Sequence, residues 1–144
     1  MTAFVVDASV AVKWFVTEEG SDRAEALAAS GRRLISPGLL MLEVASAFNK
    51  KARSGQMTVE GATDRLAALP RYLNEIVDHR GFLPSAFRLA LDLDHHLYDC
   101  VYLELARRRD AAMVTDDRRL VEKVQRHGLS RLAVALADWR IAVT

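Results

Sequence analysis

The sequence has a single cysteine, almost no net charge and no long apolar run. The lone Cys100 excludes an internal disulfide and a cysteine-rich zinc site, and it fits a reducing compartment. The chain has 20 Lys and Arg residues against 19 Asp and Glu residues, which leaves a formal net charge of only +1. Because this balance favours no class of charged partner, a nucleic-acid-binding protein of this composition must concentrate its basic residues locally.

Apolar residues are abundant, but charged residues interrupt them throughout. No stretch approaches the roughly 20 uninterrupted apolar residues that cross a bilayer. Asp7 and Lys13 break the apolar start, and no basic segment precedes it, which argues against a signal peptide. We therefore expect a cytoplasmic protein with no membrane association, in which Cys100 is a small buried apolar residue.

The overall composition is that of a globular protein. Hydrophobic residues make up 51% of the 144 positions and charged residues 27%, which is an ordinary balance for a folded chain. A chain of this length buries a substantial core as one unit. The sequence contains no internal repeat, low-complexity segment or linker, so residues 1–144 are predicted to form a single domain.

Short β-branched runs alternate with helical patterns along the chain. Strands are predicted over residues 3–6, 34–36, 112–115 and 132–136. Helices are predicted over residues 9–16, 21–30, 39–53, 58–69, 84–93, 98–109 and 117–127. Residues 70–81 give the weakest signal, and Ile76-Val77 is either a short strand or a continued helix. The alternation predicts an α/β fold, a three-layer α/β/α sandwich around a central parallel sheet of about four or five strands.

Acidic residues recur where strands end and helices begin. The stretch FVVDASV ends an apolar strand on Asp7, and AAMVTDDRRL places Asp117 after another strand. Asp99 lies at the head of the helix LYDCVYLELA, and Glu43 lies in the helix that follows the second strand. Each has a purely structural explanation: helix capping for Asp7 and Asp117, the helix dipole for Asp99, and solvent exposure for Glu43.

Taken together, these acids predict a metal site. In an open parallel sheet, the carboxyl ends of the strands and the starts of the following helices gather along one edge. Carboxylates that converge there repel one another unless a cation lies among them. An all-oxygen ligand set suits a hard divalent ion such as Mg²⁺ or Mn²⁺, and such ions commonly act on phosphates.

In the motifs VVDASV, SPGLLMLEVASAF, LYDCVYLELA and VTDDRRL, the chain resembles the PIN domain, specifically the VapC-type toxins of bacterial toxin–antitoxin pairs. The resemblance runs almost end to end. It implies that the metal-binding and catalytic residues are Asp7, Glu43, Asp99 and Asp117. It also implies an endoribonuclease that depends on Mg²⁺ or Mn²⁺ and cleaves RNA with metal-activated water. A cognate antitoxin protein and a homodimer are implied as partners.

The resemblance also implies supporting residues around the four acids. Ser9 and Thr115 are expected to provide polar support. Asp116 stands beside the fourth acid and leaves a choice between two neighbouring carboxylates. The spacing from Thr115 and the start of the next helix favour Asp117. We expect Asp116 to be peripheral, where it either tunes the local electrostatic field or pairs with a nearby arginine such as Arg118 or Arg119.

Other polar and aromatic residues are assigned more ordinary positions. Basic residues that could rim the site and contact RNA, or simply complement helix dipoles, are Lys50, Lys51, Arg53, Arg107 to Arg109, Arg118, Arg119, Lys123 and Arg126. The residues expected in the core are Trp14, Phe15, Tyr98 and Tyr102. His95 and His96 are interpreted as surface or helix-entry residues, because adjacent side chains diverge and form a poor acid–base pair.

Two other classes of protein share this pattern in part. A phosphoacceptor receiver-like binding module is also a small α/β domain with acids at its strand ends, but LAVALADWR lacks the lysine that such a module needs at its last strand. A catalytically inactive α/β dimerisation domain is the other alternative. Metal-dependent RNA cleavage distinguishes all three.

Overall fold

The protein is described by a computed structural model that covers residues 3–140. Five short strands form one parallel sheet in the order β3-β2-β1-β4-β5. The strands are β1 (Phe4–Val6), β2 (Leu34–Pro37), β3 (Glu75–Val77), β4 (Ala112–Thr115) and β5 (Ala133–Ala135). Helices flank the sheet, so the predicted α/β sandwich with a parallel sheet is confirmed.

Within residues 3–140, seven α-helices accompany the strands. They are α1 (Ala8–Ala11), α2 (Ser21–Ala28), α3 (Leu39–Arg53), α4 (Val59–Ala68), α5 (Leu83–Leu93), α6 (Leu97–Arg108) and α7 (Arg118–Arg126). Helix α6 packs against β1, β2 and β4 and carries α5 beside it, while α3 packs against α1 and α4. The chain runs outward from β1 through β2 to β3 and then returns past β1 to β4 and β5.

Two predicted elements differ clearly from the structure, and the structure decides between the two alternatives for a third. The helix expected over residues 9–16 is one α-helical turn followed by a 3-10 turn at Val12–Trp14, which tightens the chain and buries three consecutive residues. The last strand is shorter than residues 132–136, because 3-10 turns at Ser130–Leu132 and Leu136–Asp138 bracket it. Of the two alternatives for Ile76-Val77, the strand is correct: it lies in β3 and pairs with β2.

The core lies on both sides of the sheet. Its largest fully buried side chains include Tyr102, Phe48 and Met113. Cys100 is fully buried as predicted, and burial raises the pKa of its thiol to about 12. Tyr98 was expected in the core but is 55% exposed, because it lies on the outer side of α6 in its first turn. In the part of the chain that the structure describes, no helix is both long and apolar enough to cross a membrane.

Candidate active site

The carboxyl ends of β1 and β4 lie side by side at the centre of the sheet, where the direction of strand addition reverses. Such a reversal opens a crevice between the loops that leave the two strands. Here the crevice is a cleft of about 170 Å³. The residues that line it are Asp7, Ala8, Ser9, Glu43, Asp99, Tyr102 and Asp117. All four acids named from the sequence therefore face one small space.

Asp7 is the deepest acid of the cleft. It follows β1, is only 6% exposed, and accepts a hydrogen bond from the Val10 backbone N–H at 3.2 Å, which caps α1. The Ser9 hydroxyl donates to its Oδ1 at 2.6 Å and the Thr115 hydroxyl to its Oδ2 at 2.5 Å. Burial nonetheless raises the pKa of Asp7 to about 7. The hydrogen bonds lower this pKa, but burial has the larger effect, and the negative charge of Asp99 raises the pKa further.

Glu43 reaches the cleft from α3. The Tyr102 hydroxyl donates a hydrogen bond to its Oε1 at 2.7 Å. Burial raises the pKa of Glu43; the Tyr102 hydrogen bond opposes this rise and the nearby Asp99 charge adds to it. Tyr102 is a core residue as predicted, but its hydroxyl also belongs to the site. Its spacing of three residues from Asp99 on one helix is the sequence signal that points to this second role.

Asp99 lies in the first turn of α6 and is paired with a histidine. His95 Nε2 lies 2.7 Å from Asp99 Oδ2, and the His95 side chain is only 10% exposed. The ligand atoms of His95, Asp99 and Asp117 lie within 4.8 Å of one another. Of the two interpretations of His95, the helix-entry position is correct, since it directly precedes the His96 cap of α6, but its side chain folds back onto Asp99 and does not lie on the surface; His96 is exposed. The i, i+4 spacing of His95 and Asp99 could have revealed this pair.

The two adjacent acids after β4 point in different directions. Asp117 lines the cleft and caps α7, since its Oδ1 accepts the Leu120 backbone N–H at 3.1 Å. Asp116 turns away, and its carboxylate pairs with Lys13 Nζ at 3.3 Å. The expected partners Arg118 and Arg119 are thus wrong for Asp116. Lys13 is the partner instead, because its buried ammonium group lies beneath this loop.

A wider groove of about 710 Å³ adjoins the cleft and shares Asp117 with it. Arg119, Lys123 and Arg126 of α7 line this groove. Arg107 to Arg109 do not reach it, because they lie at the far end of α6, where they pair with Glu104 and Glu75. At 1.5 Å per helical residue, that end is roughly 13 Å from Asp99. Of the basic residues proposed from the sequence, Arg119, Lys123 and Arg126 are therefore the ones that line the groove beside Asp117.

Comparison with known proteins agrees with this architecture. The PIN domain family model matches residues 4–126. Ribonuclease VapC3 from Pyrobaculum aerophilum is 34% identical over 121 residues, which are 83% of this chain and 92% of that protein. The chain therefore belongs to the PIN-domain family. Its likeness to the VapC protein places it among the VapC-type members of that family.

A solved structure supports the fold independently. The crystal structure of PAE2754 from Pyrobaculum aerophilum matches this chain with a TM-score of 0.71 at 22% sequence identity. The match covers 94% of this chain and 90% of that one. The PIN-like fold is thus present over nearly the whole chain.

Proposed function

We propose that this protein is a metal-dependent endoribonuclease and the toxin of a toxin–antitoxin pair. The observation that carries the proposal is the convergence of Asp7, Glu43, Asp99 and Asp117 on one cleft. Four segments that are distant in sequence supply these acids. Holding several carboxylates close together in a partly buried cleft costs free energy unless a cation compensates their charge. The ribonuclease name of the VapC relative supports the same activity.

The residues of the cleft fit a divalent cation. Their carboxylate oxygens are the ligands that Mg²⁺ and Mn²⁺ prefer. The raised pKa values of Asp7 and Glu43, to which the charge of Asp99 contributes, are what a cation would relieve. We assign Asp7 and Asp99 as principal ligands, with Glu43 and Asp117 completing the set. When bound, the ion supplies an activated water and stabilises charge on the scissile phosphate.

The chain's own side chains then have separate tasks. Ser9 and Thr115 hold the Asp7 carboxylate through both of its oxygens, which fixes its orientation toward the cleft. Arg119 and Arg126 line the adjoining groove, where they are placed to contact phosphates of a bound RNA strand. Because phosphate contacts carry no sequence information, these arginines are assigned to RNA affinity rather than to the choice of target.

Analysis of the cleavage products tests this function. Attack by water leaves 5′-phosphate and 3′-hydroxyl ends, whereas attack by the ribose 2′-hydroxyl leaves a cyclic phosphate. We expect the first pair of ends, and we expect EDTA to abolish cleavage and added Mg²⁺ or Mn²⁺ to restore it. Cyclic-phosphate products that persist in EDTA would overturn the proposal.

The toxin role has its own test. We expect that the protein acts in the cytoplasm, that its expression alone arrests growth, and that co-expression of a cognate antitoxin restores growth. High-level expression of soluble, active protein without any growth defect would exclude the toxin role while leaving the nuclease intact. A protein that binds metal but cleaves no RNA would instead support the inactive-domain alternative. The receiver-like alternative has lost its support, because the chain belongs to the PIN-domain family.

A further inference from the structure

His95 connects the acidic cleft to the basic helix α7. One ring nitrogen, Nε2, lies 2.7 Å from Asp99 Oδ2, and the other, Nδ1, lies 3.2 Å from Lys123 Nζ. Lys123 Nζ also donates to the Asp94 backbone carbonyl at 2.8 Å. The His95 side chain is only 10% exposed, so its two ring nitrogens contact Asp99 and Lys123 rather than bulk water. Two of the three Lys123 donors are directed at this turn.

The neighbours of His95 assign its protons. A lysine ammonium group has three donors and no acceptor, so the Nδ1 atom beside Lys123 must be the acceptor. A neutral imidazole carries one proton, which is then on Nε2 and is donated to Asp99 Oδ2. The reverse tautomer would set a ring N–H against the ammonium and leave Asp99 without a donor.

From this geometry we infer that His95 is a positioning residue that orients the Asp99 carboxylate, and that Lys123 fixes the His95 tautomer needed for it. The inference rests on the proposed function, in which Asp99 holds the metal ion. It assigns no direct metal bond to His95, because the Nε2 atom nearest the other ligands carries a proton. It also gives Lys123 a different role from Arg119 and Arg126, which line the same groove and are assigned to contact RNA phosphates.

The arrangement restricts the freedom of Asp99. With Oδ2 engaged by the ring, rotation of the carboxylate is limited where Asp99 lines the cleft. Outer partners of this kind are worth about 10- to 100-fold in metal affinity or activity when they are removed. A carboxylate held only by solvent on that side must instead be ordered each time an ion binds.

Nitrogen-15 NMR of the histidine rings in metal-free protein tests the tautomer directly. We expect the His95 signals of a neutral ring protonated at Nε2, and we expect Lys123→Met to abolish the preference for this tautomer. Arg126→Met removes the same charge from the same helix but does not touch His95, so its His95 signals should match the wild type. A wild-type His95 protonated at Nδ1, or a tautomer unchanged in Lys123→Met, would overturn the inference.

Addition of Mg²⁺ distinguishes positioning from direct ligation. A positioning His95 keeps its Nε2 proton when the site is loaded. Loss of that proton on Mg²⁺ binding would make His95 a ligand and overturn the inference. The metal-free tautomer depends on neither metal binding nor RNA cleavage, so a failure of the proposed function would leave it unchanged. A protein whose spectrum does not respond to Mg²⁺ at all would instead contradict the proposed function.

Two substitutions at His95 separate its hydrogen bond from its bulk. His95→Phe keeps a ring but no donor, whereas His95→Gln retains an N–H near the position of Nε2. We expect His95→Phe to weaken Mn²⁺ binding, measured by calorimetry, about 10- to 100-fold. His95→Gln should recover most of that loss, and kcat should follow Mn²⁺ affinity while the KM for RNA changes little. Equal Mn²⁺ affinity in wild type and both variants would overturn the inference, and the NMR test above remains decisive if His95→Phe fails to fold.

Discussion

The Asp7 carboxylate is 6% exposed, and the hydroxyls of Ser9 and Thr115 donate hydrogen bonds to its two oxygens. Burial still raises its pKa from 3.8 to about 7. The folded protein therefore holds a proton at Asp7 across a pH range in which the unfolded chain has released it. This group contributes stability that is fully present below about pH 4 and is lost as the pH rises through 7.

Replacement of Asp7 by Asn should remove the loss of folding stability that accompanies ionisation of Asp7 at high pH. Without metal, we expect Asp7→Asn to be more stable than wild type at pH 8 by about 1–3 kcal/mol, because the buried charge is gone and only part of its hydrogen bonding is lost. The gain should vanish near pH 4, and thermal unfolding in EDTA from pH 4 to 8 measures it. Asp64→Asn, which changes an exposed acid on α4, is the control and should show no such gain.

The same Asp7→Asn variant tests the metal site. RNA cleavage should fall to the level seen in EDTA, and Mg²⁺ should raise the melting temperature of the wild type but not of the variant. Asp99→Asn is expected to behave alike in both respects. A variant that cleaves at the wild-type rate with unchanged Mg²⁺ affinity would show that the replaced residue is not a ligand.

Asp116 and Asp117 differ in what they face. Asp117 lines the cleft, whereas Asp116 is 52% exposed and pairs with Lys13. We expect Asp117→Asn to weaken Mn²⁺ binding and cleavage markedly and Asp116→Asn to change both only slightly. Because Asn caps a helix almost as well as Asp, α7 still begins correctly and the change reports the lost charge. Equal losses in the two variants would mean that both acids serve the metal.

At the scale of elements, helices α3 and α6 are joined across the cleft by one hydrogen bond. Glu43 comes from α3 and Tyr102 from α6, and the 2.7 Å contact between them lies beside the other acids. The bond lowers the Glu43 pKa against the effect of burial. It thus sets both the position of α3 relative to α6 and the readiness of Glu43 to carry charge.

Tyr102→Phe tests this connection. Loss of the hydroxyl should raise the Glu43 pKa further, so the acidic limb of the cleavage pH profile should move to higher pH. We also expect a stability loss of about 1–3 kcal/mol, because a half-buried carboxylate loses its donor. Tyr98→Phe, on the exposed side of the same helix, is the matched control. Identical pH profiles for both variants and the wild type would show that Tyr102 does not tune Glu43.

At the scale of the whole molecule, α5 presents an unusual apolar surface. Leu83, Phe87 and Leu91 follow one another at helical spacing of four residues and are 38%, 55% and 68% exposed. Neighbouring exposed apolar side chains of this kind commonly mark an interface. Helix α3, by contrast, directs Leu40, Val44 and Phe48 into the core and leaves only Leu42 among its large apolar side chains exposed.

We expect the homodimer to use the exposed face of α5. Light scattering on size-exclusion peaks should give twice the mass of 16.0 kDa for the wild type and the monomer mass for Phe87→Glu. Val59→Glu places the same charge at a comparably exposed site on α4 and should remain dimeric. A dimer that persists in Phe87→Glu would move the interface elsewhere, and a monomeric wild type would exclude the homodimer at the concentration used.

Most of the elements, and the acids that are candidates for the site, could be predicted from the sequence alone. Helix 39–53 and strand 112–115 were predicted with the bounds that the structure has. For the helix the signals are local, since Pro37-Gly38 precedes it and Gly55 follows it. Asp7 was conspicuous for a similar reason, because a carboxylate directly after an apolar strand is a local oddity, whereas Glu43, Asp99 and Asp117 lie in helices or at their starts. The PIN resemblance joined them into one site.

Only the tertiary structure decided which other side chains meet those acids. His95 and Lys123 come together over 28 residues of sequence, and Tyr102 meets Glu43 over 59. Asp116 finds Lys13, not the arginines beside it in the sequence. The reason is physical: strand and helix patterns record local burial, which has a period along the chain. The partner of a polar side chain depends instead on the order of the strands and the packing of the helices, and neither of these repeats with a period along the chain.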